Sequence, residues 1–292
     1  MKRRRDMLKT NRDRIAMLSV QGQVRHSQYS RNGKTGIDGE VFYIPGTGGI
    51  TYNAQVGDNC VNWNADHLEP GVTTRHNEDR FNDAYVAYSC IGNEATIISG
   101  EAKGAKGFVT GKHGGCEHLM VHFDREVKEK MTMDDKILIK AYGQGLILED
   151  HPSIVVRNLD PNLLDKLNIT EEGKKLKIGV AKLVPACIMG SGIGTVAPAA
   201  GDYDITLHDK KIVKKYGLDE LRFGDIVAIM DADTRYGRNF RTGAVTIGVI
   251  VHSDCKMSGH GPGVTTIMSC KTPDIIPFID ENANLATYFN VK

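Results

Sequence analysis

Short apolar runs separated by glycine-rich turns are the feature that most limits how this chain can fold. The runs are rich in Val, Ile, Tyr and Thr, and the chain contains 32 glycines. Stretches with a helical period are few, and this pattern is typical of strands joined by turns. The first half is therefore predicted to be mostly β. Its predicted strands are Ile15–Val24, Val41–Ile44, Asn59–Trp63, Ala84–Ile91, Ala95–Ser99, Gly107–Thr110, His118–Phe123 and Lys136–Tyr142.

Two domains are expected from the length and from a polar segment near the middle of the chain. The 292 residues exceed the commonest size of a single domain. Ile169–Lys177 is charged and contains a glycine, so it is the best candidate for a linker. We therefore predict an N-terminal β-rich domain over 1–172 and a C-terminal β-rich domain over 173–292. The predicted fold class is α+β and β-rich, with two barrel-like or sandwich-like halves and a few short helices, including Asp160–Leu167 and Lys210–Tyr216.

The charge balance and the cysteines limit the partners and the compartment. The chain has 37 basic and 36 acidic residues, which give no field that would gather nucleic acid or an anionic membrane. No apolar run approaches the roughly 18 residues of a membrane span. No export signal follows the basic start Lys2–Arg5, and the 6 cysteines show no C-x-x-C spacing. We expect a cytoplasmic protein that binds neither nucleic acid nor membrane, and a homo-oligomer is left open.

The stretch HSDCKMSGHGPGVT, residues 252–265, is the strongest candidate for a polar site. It follows the apolar run Gly248–Val251, so His252 and Asp254 emerge from buried backbone. Glycine on both sides of His260 removes Cβ crowding at a cost of up to about 1 kcal/mol per glycine, which a plain connection rarely needs. A tight bulge between core strands is the alternative.

Residues 111–123 contain a second candidate site. Alternation along a strand places His118 and His122 on one face, and imidazole is a common zinc ligand. His113 and His118 stand near glycines that would let a ligand approach the backbone. For His122 an ordinary half-exposed strand position is the favoured interpretation.

Two further loops follow predicted strands, and both carry acids. Asp66, His67 and Glu69 fall within four residues and could bind metal or act as acid and base, or could cap a turn. In the second loop, Asp231–Arg238, carboxylates two residues apart could hold a cation and the arginines could clamp an anion. A surface ion-pair turn is the alternative there.

The alternate glycines of Gly190–Gly194 invite comparison with a dinucleotide-binding loop. Such a loop must open a helix, so that the pyrophosphate meets the positive helix N-terminus. Pro198 and Gly201 interrupt any helix of that kind within two turns. A flexible or close-packed loop is therefore favoured.

Several of these stretches together resemble the family catalogued as domain of unknown function 4438, which is found in bacteria and archaea. The resemblance covers nearly the whole chain and implies an N-terminal and a C-terminal domain. It offers no catalytic residues, because the activity of the family is unknown. The stretches that carry it are Ala16–Gly22, Ala65–Val72, Gly111–Gly115 with Glu117 and His118, Met189–Gly192, Gly201–Ile205, Val251–Asp254 and Gly259–Thr265.

We hypothesise that loops of both halves converge on one cleft. There a divalent metal ion would assist the hydrolysis of a small polar metabolite, with an amide as one candidate group. The rival hypothesis is a non-catalytic protein that binds a small ligand, or an assembly subunit whose glycine loops pack tightly. The predicted metal ligands are His67, His113, His118 and Asp254; the predicted catalytic residues are Asp66, Glu69 and His260; and the predicted ligand-binding residues are Arg235, Arg238, Gly261 and Gly263.

Overall fold

The computed structural model describes residues 8–193 and 198–292. The basic start Lys2–Arg5 and part of the predicted Gly190–Gly194 loop lie outside the described residues. The chain is β-rich and has a two-domain architecture, in which one half is a closed barrel and the other a half-barrel with few short helices. The β-rich α+β fold with two barrel-like halves is thus confirmed. A division at residue 172 stays a prediction.

The first half closes into a barrel because its first and fifth strands pair with each other. The strands are, in chain order, β1 (Leu18–Val24), β2 (Lys34–Thr35), β3 (Val41–Phe42), β4 (Ile50–Thr51), β5 (Gly71–Arg75), β6 (Glu94–Ile97), β7 (Lys106–His113), β8 (His118–His122) and β9 (Lys136–Ala141). The order β1-β9-β6-β7-β8-β5 returns to β1 through an antiparallel pairing of β5 with β1. Strand β4 extends this sheet beside β5, and β2 and β3 form a separate hairpin. Closure leaves no long unpaired edge in the barrel.

The second half is built on two sheets. Its strands are β10 (Ile154–Val156), β11 (Ile169–Glu172), β12 (Lys175–Val180), β13 (Lys182–Pro185), β14 (Met189–Gly192), β15 (Tyr203–Ile205), β16 (Ile226–Asp233), β17 (Asn239–Ile250), β18 (Gly263–Cys270) and β19 (Ile275–Ile279). The half-barrel has the order β13-β16-β17-β18-β15-β14, with β10 beside β18. Strands β11, β12 and β19 form a smaller sheet. The prediction of a linker at Ile169–Lys177 is therefore wrong, because this segment lies in the β11–β12 hairpin, with Gly173 at φ 62° in the turn.

The helices are short and sit at the ends of strands. They are α1 (Asp79–Tyr88), α2 (Arg125–Lys128), α3 (Pro161–Leu164), α4 (Lys210–Tyr216) and α5 (Leu285–Phe289), with 3₁₀ turns at Arg12–Arg14, Ala186–Ile188 and Leu218–Glu220. The predicted helices at α3 and α4 are confirmed. Asp160 caps α3 through Asn162 N–H, and Gly217 ends α4 in the left-handed conformation at φ 63°.

Two of the predicted strands in the first half are wrong. Ala84–Ile91 falls largely within α1, whose Asn82, Tyr85 and Val86 are buried at helical spacing. Tyr85 packs against the barrel at Gly22, where a Cβ added to the glycine would lie 2.5 Å from the phenol ring. Asn59–Trp63 forms no strand and makes only an isolated bridge, from Asn59 to Arg222.

The barrel and the half-barrel pack together where β7 meets β18. Lys112 N–H donates to Thr265 Oγ1 at 3.2 Å, and that hydroxyl donates to the Lys112 carbonyl at 3.0 Å. Gly111 lies so close to the other half that a Cβ there would come within 2.1 Å of Val251 Cγ1. The end of β7 is thus held against the turn that follows β17, which brings the two predicted polar loops together.

Among residues 8–193 and 198–292, no helix is both long enough and apolar enough to cross a membrane.

Candidate metal centre

Five buried or half-buried histidines and four buried carboxylates lie around the contact between the two halves. The barrel contributes residues of the loop before β5 and of β7 and β8, and the half-barrel contributes residues around β15 and between β17 and β18. These residues are His67, His113, His118, His252, His260, Asp66, Glu69, Asp202 and Asp204. Loops of both halves thus converge.

His67 is held in an unusual backbone conformation between two acids. Its φ of 53° is in the left-handed region, which non-glycine residues seldom adopt. Residues with this kind of backbone strain cluster at functional sites. His67 Nδ1 lies 2.9 Å from Asp66 Oδ1, and Nε2 lies 3.2 Å from His260 Nδ1 and 3.8 Å from Asp204 Oδ2. Because an ionised carboxylate only accepts, Nδ1 donates to Asp66, and Nε2 is the nitrogen that faces the cluster. Burial lowers the pKa of His67, but hydrogen bonds to Asp204 and Asp66 outweigh it and raise this pKa above its usual value.

His113 is oriented by Glu69 in the same way. Its Nδ1 lies 2.6 Å from Glu69 Oε1, so its Nε2 is the nitrogen left for another partner. Glu69 also accepts from Gly48 N–H, the Thr73 hydroxyl and His118. Burial favours the neutral acid, but the hydrogen bonds from His113 and His118 outweigh it and hold the pKa of Glu69 well below its usual value. Glu69 is therefore an ionised carboxylate whose oxygens already accept several hydrogen bonds, and it lies next to the Nδ1 atoms of His113 and His118.

His252 completes the pattern from the half-barrel. Its Nδ1 donates to the Ser253 carbonyl at 2.9 Å, and its Nε2 lies 2.7 Å from Asp202 Oδ2 and 3.6 Å from Asp204 Oδ1. Burial lowers the pKa of His252, but the charge of Asp202 and hydrogen bonds to both aspartates raise it well above its usual value. The two carboxylates therefore stabilise a positive charge at Nε2, and either a proton or a metal ion can supply that charge.

Asp204 lies at the centre of the imidazoles. Its Oδ2 is 3.1 Å from His260 Nδ1 and 3.8 Å from His67 Nε2, while its Oδ1 faces His252. Burial opposes ionisation, yet hydrogen bonds from His252, His260 and His67 hold the pKa of Asp204 well below its usual value. Within the described part of the chain, Asp204 oxygens contact imidazole nitrogens and no other donor.

Gly261 and Gly263, predicted to bind a ligand, make room for this cluster. A Cβ on Gly263 would lie 1.9 Å from Asp202 Oδ2 and 2.3 Å from His252 Nε2. A Cβ on Gly261 would lie 1.8 Å from the Ile205 carbonyl. Both glycines therefore allow the backbone before β18 to pass close to β15.

Donor atoms within 4.8 Å of one another form four groups that could hold a metal ion. Two groups use the inward nitrogens of the histidines, and two use the acids behind them together with a thiol. The groups are His67–Asp204–His260, His113–Asp202–His252, Asp66–His67–Cys255 and Glu69–His113–Cys116.

Asp254, His118 and Arg235 are among the predicted site residues that lie outside these groups of donors. Asp254 accepts from Asn62 N–H at 2.8 Å, and burial raises its pKa, although backbone hydrogen bonds oppose that shift. His118 contacts Glu69 from the barrel side, and its buried Nε2 has no hydrogen-bond partner among the described residues. Arg235 is bound to Asp233 through two nitrogens, each 2.9 Å from an oxygen, which matches the ion-pair alternative for that loop.

Arg238 lies near the cluster, in a shallow groove of about 620 Å³. It donates to the Gly190 carbonyl and shares the groove with His260, whose side chain is 33% exposed while those of His67 and His252 are buried. The groove therefore meets the cluster at His260.

Sequence reasoning assigned no role to Asp202, Asp204 or His252. The signal was present, because Asp202 and Asp204 alternate at the start of β15 after Gly201 and therefore point to one side of the strand. His252 is predicted from the sequence to emerge from buried backbone, but Asp254 is predicted as the metal ligand of that stretch.

The family descriptions "Domain of unknown function (DUF4438), N-terminal" and "Domain of unknown function (DUF4438), C-terminal" match residues 34–165 and 166–289. The chain belongs to the DUF4438 family. It is similar to the solved crystal structure of TM1086, with 46% sequence identity, a TM-score of 0.92, and coverage of 97% of this chain and 99% of that chain. No curated protein matches the chain. The resemblance seen in the sequence is thus confirmed, and the likeness to TM1086 brings no activity with it.

Proposed function

We propose that this DUF4438 protein is a metal-dependent hydrolase of a small polar metabolite, with a divalent ion held by His67, Asp204 and His260. The observation that carries the proposal is the placement of Asp204. It is buried, and its two oxygens face only imidazole nitrogens in the described chain. A carboxylate with two histidines is a common ligand set for catalytic zinc and related ions.

The residues behind the ligands support this assignment. A histidine that binds metal usually donates its other ring N–H to a carboxylate or a carbonyl, which fixes the tautomer and the ring orientation. Of the proposed ligands, His67 has such a partner in Asp66, and the neighbouring His113 has one in Glu69. We therefore give Asp66 and Glu69 an orienting role, in place of the general-base role expected from the sequence, and we make His260 a ligand.

The two groups that contain cysteine are weaker candidates. Asp66 already accepts from Lys34, His67 and the Cys255 thiol. Burial and the neighbouring carboxylate raise the pKa of Cys116, and burial with the hydrogen bond to Asp66 raises that of Cys255. Each thiol is thus protonated beside an anion in the metal-free chain, so a metal ion bound there would have to displace the proton from sulfur.

The groove at His260 gives the substrate a route to the ligands. Arg238 and the backbone of Gly190–Gly192 and Gly259 line it. Arg238 is the better of the two predicted anion-binding arginines, because Arg235 is occupied by Asp233. A small substrate with an anionic group next to the bond to be hydrolysed fits this arrangement.

The chemistry supported by this site is addition of water across an amide or ester bond. A divalent ion held by His67, Asp204 and His260 would polarise the carbonyl and lower the pKa of a bound water. The water oxygen bonds to the carbonyl carbon, the bond to nitrogen or oxygen breaks, and the proton passes to the leaving group. The chain itself holds the ligand histidines in one tautomer, excludes bulk water from Asp204 and orients the substrate through Arg238.

The test is a hydrolysis screen of small amides and esters that carry an anionic group, with protein stripped by chelator and then reloaded with zinc, manganese or nickel. We expect turnover that requires the ion and is lost in Asp204→Asn, but not in the control Asp233→Asn, a carboxylate paired with Arg235. Turnover that survives both chelation and Asp204→Asn would contradict the proposal. Tight ion and ligand binding without turnover would favour the non-catalytic alternative.

A further inference from the structure

A second group of donors stands beside the proposed ion. His113, Asp202 and His252 each offer one ligand atom, and these atoms lie within 4.8 Å of one another. All three residues are buried. They share no residue with the group His67–Asp204–His260.

Asp204 connects the two groups. Its Oδ2 is 3.1 Å from His260 Nδ1 in the first group, and its Oδ1 is 3.6 Å from His252 Nε2 in the second. The two oxygens of one carboxylate therefore face different groups, as in a carboxylate that bridges two ions. The rings also lie side by side, with centroids 5.0 Å apart for His67 and His252.

Both histidines of the second group are supported at their other ring nitrogen. His113 Nδ1 donates to Glu69 at 2.6 Å, and His252 Nδ1 donates to the Ser253 carbonyl at 2.9 Å. Asp202 is fixed by Gly114 N–H, which donates to its Oδ1 at 2.8 Å and leaves Oδ2 facing His252. Each donor is thus fixed by a second partner, and the remaining ligand atoms of Asp202 and His252 lie 2.7 Å apart.

The charges of the cluster also admit a second ion. Asp66, Glu69, Asp202 and Asp204 are all buried within the cluster, and Lys34 pairs with Asp66. With every histidine neutral, one divalent cation would leave one negative charge on these groups, and two would leave one positive charge. Uncompensated buried charge is costly, so the four carboxylates require cations close to them.

We propose that the site is a binuclear metal centre, in which Asp204 bridges one ion held by His67 and His260 and a second held by His113, Asp202 and His252. This inference rests on the proposed function and deepens it. Two adjacent ions stabilise both the attacking and the leaving oxygen of a displacement, so the substrate class extends from amides to phosphoesters.

The test is the number of Mn²⁺ ions bound per chain, measured by equilibrium dialysis with elemental analysis and by electron paramagnetic resonance. We expect two ions per chain in the wild type, with the exchange coupling of neighbouring Mn²⁺ ions. His252→Gln and His260→Gln should each lower the count from two to one and abolish the coupling. His122→Gln, a buried histidine outside both groups, is the matched control and should retain both ions.

The wild-type count separates the two proposals. One uncoupled ion that is lost in His260→Gln but kept in His252→Gln would overturn the binuclear centre and leave the hydrolase proposal intact. No bound Mn²⁺ in folded wild-type protein would overturn both. If His252→Gln fails to fold, Asp202→Asn removes a ligand of the second group in its place. Circular dichroism checks that each variant is folded.

Discussion

Asp202 Oδ2 and His252 Nε2 lie 2.7 Å apart, beside a glycine that leaves no room for a side chain. A Cβ on Gly263 would lie 1.9 Å from that oxygen and 2.3 Å from that nitrogen. Since neither buried group can withdraw freely, we expect Gly263→Ala to displace both and to weaken metal binding by at least about 10-fold. Calorimetric titration with Mn²⁺ measures this.

Gly248→Ala is the control for crowding alone. A Cβ there would lie 2.3 Å from Val264 Cγ1 and 2.9 Å from the Thr265 carbonyl, in the same pair of strands, and the three nearest atoms include none of the proposed ligands. We expect both variants to lose about 1–3 kcal/mol of stability, and only Gly263→Ala to lose metal affinity. Equal affinity in the two variants would show that Gly263 serves only the packing of the strands.

The carboxylates behind the histidines are expected to tune affinity without changing the number of ions. Asp66→Asn and Glu69→Gln remove the charge that orients His67 and His113. We expect metal affinity to fall by about 10–100-fold in each variant, with the same stoichiometry at saturation. Competition with a coloured chelator measures the change. Unchanged affinity with lost turnover would instead restore the general-base role that the sequence suggested.

The fold could be predicted from local patterns because strands and caps are encoded locally. Asp160 and Gly217, for example, mark the start of α3 and the end of α4. The failure at Ala84–Ile91 has a local cause, since its β-branched and aromatic residues suggested a strand while the spacing of Asn82, Tyr85 and Val86 follows a helix. Periodicity was the better signal there than composition.

The site could be predicted only in part, because ligands are selected by distance in space. His67, His113 and His260 were predicted from the sequence around them, and the structure places their imidazole rings close together. The sequence did not indicate Asp202, Asp204 and His252, which are about 135 to 185 residues from His67 in the chain, and no spacing rule links them to it. Asp254 lies outside the groups of donors. An extended chain would turn it to the side of His252, whereas the irregular backbone after β17 turns it toward Asn62.

His122 gives the protein a pH dependence that is separate from the metal centre. Burial lowers the pKa of His122 to about 4, and its 3.7 Å distance to Asp124 is too long for a hydrogen bond. The unfolded chain, with a histidine pKa of about 6.5, therefore binds the proton more readily than the folded one. Stability from this residue is complete above pH 6.5 and is lost as the pH falls toward 4.

We expect wild-type protein to lose about 2 kcal/mol more stability than His122→Gln between pH 7 and pH 5. Urea unfolding at both pH values, with chelator present, measures the difference. An equal loss of stability between pH 7 and pH 5 in the two proteins would mean that His122 keeps an ordinary pKa in the folded state.

Arg238 and Arg235 are expected to differ although both are arginines of one loop. Arg238 lies in the groove beside His260, whereas Arg235 is paired with Asp233. For an anionic substrate found in the hydrolysis screen, Arg238→Gln should raise KM about 10-fold, as expected for the loss of one charge-assisted hydrogen bond. Arg235→Gln should leave KM unchanged. Equal effects would place the substrate elsewhere.

Anomalous diffraction from crystals grown with Mn²⁺ tests most directly whether these residues hold metal. We predict strong anomalous peaks in contact with Asp204, one beside His67 and His260 and the other beside His113, Asp202 and His252. A map without any peak among these residues, in crystals that diffract well and contain Mn²⁺ in excess, would contradict the metal centre on which the account depends.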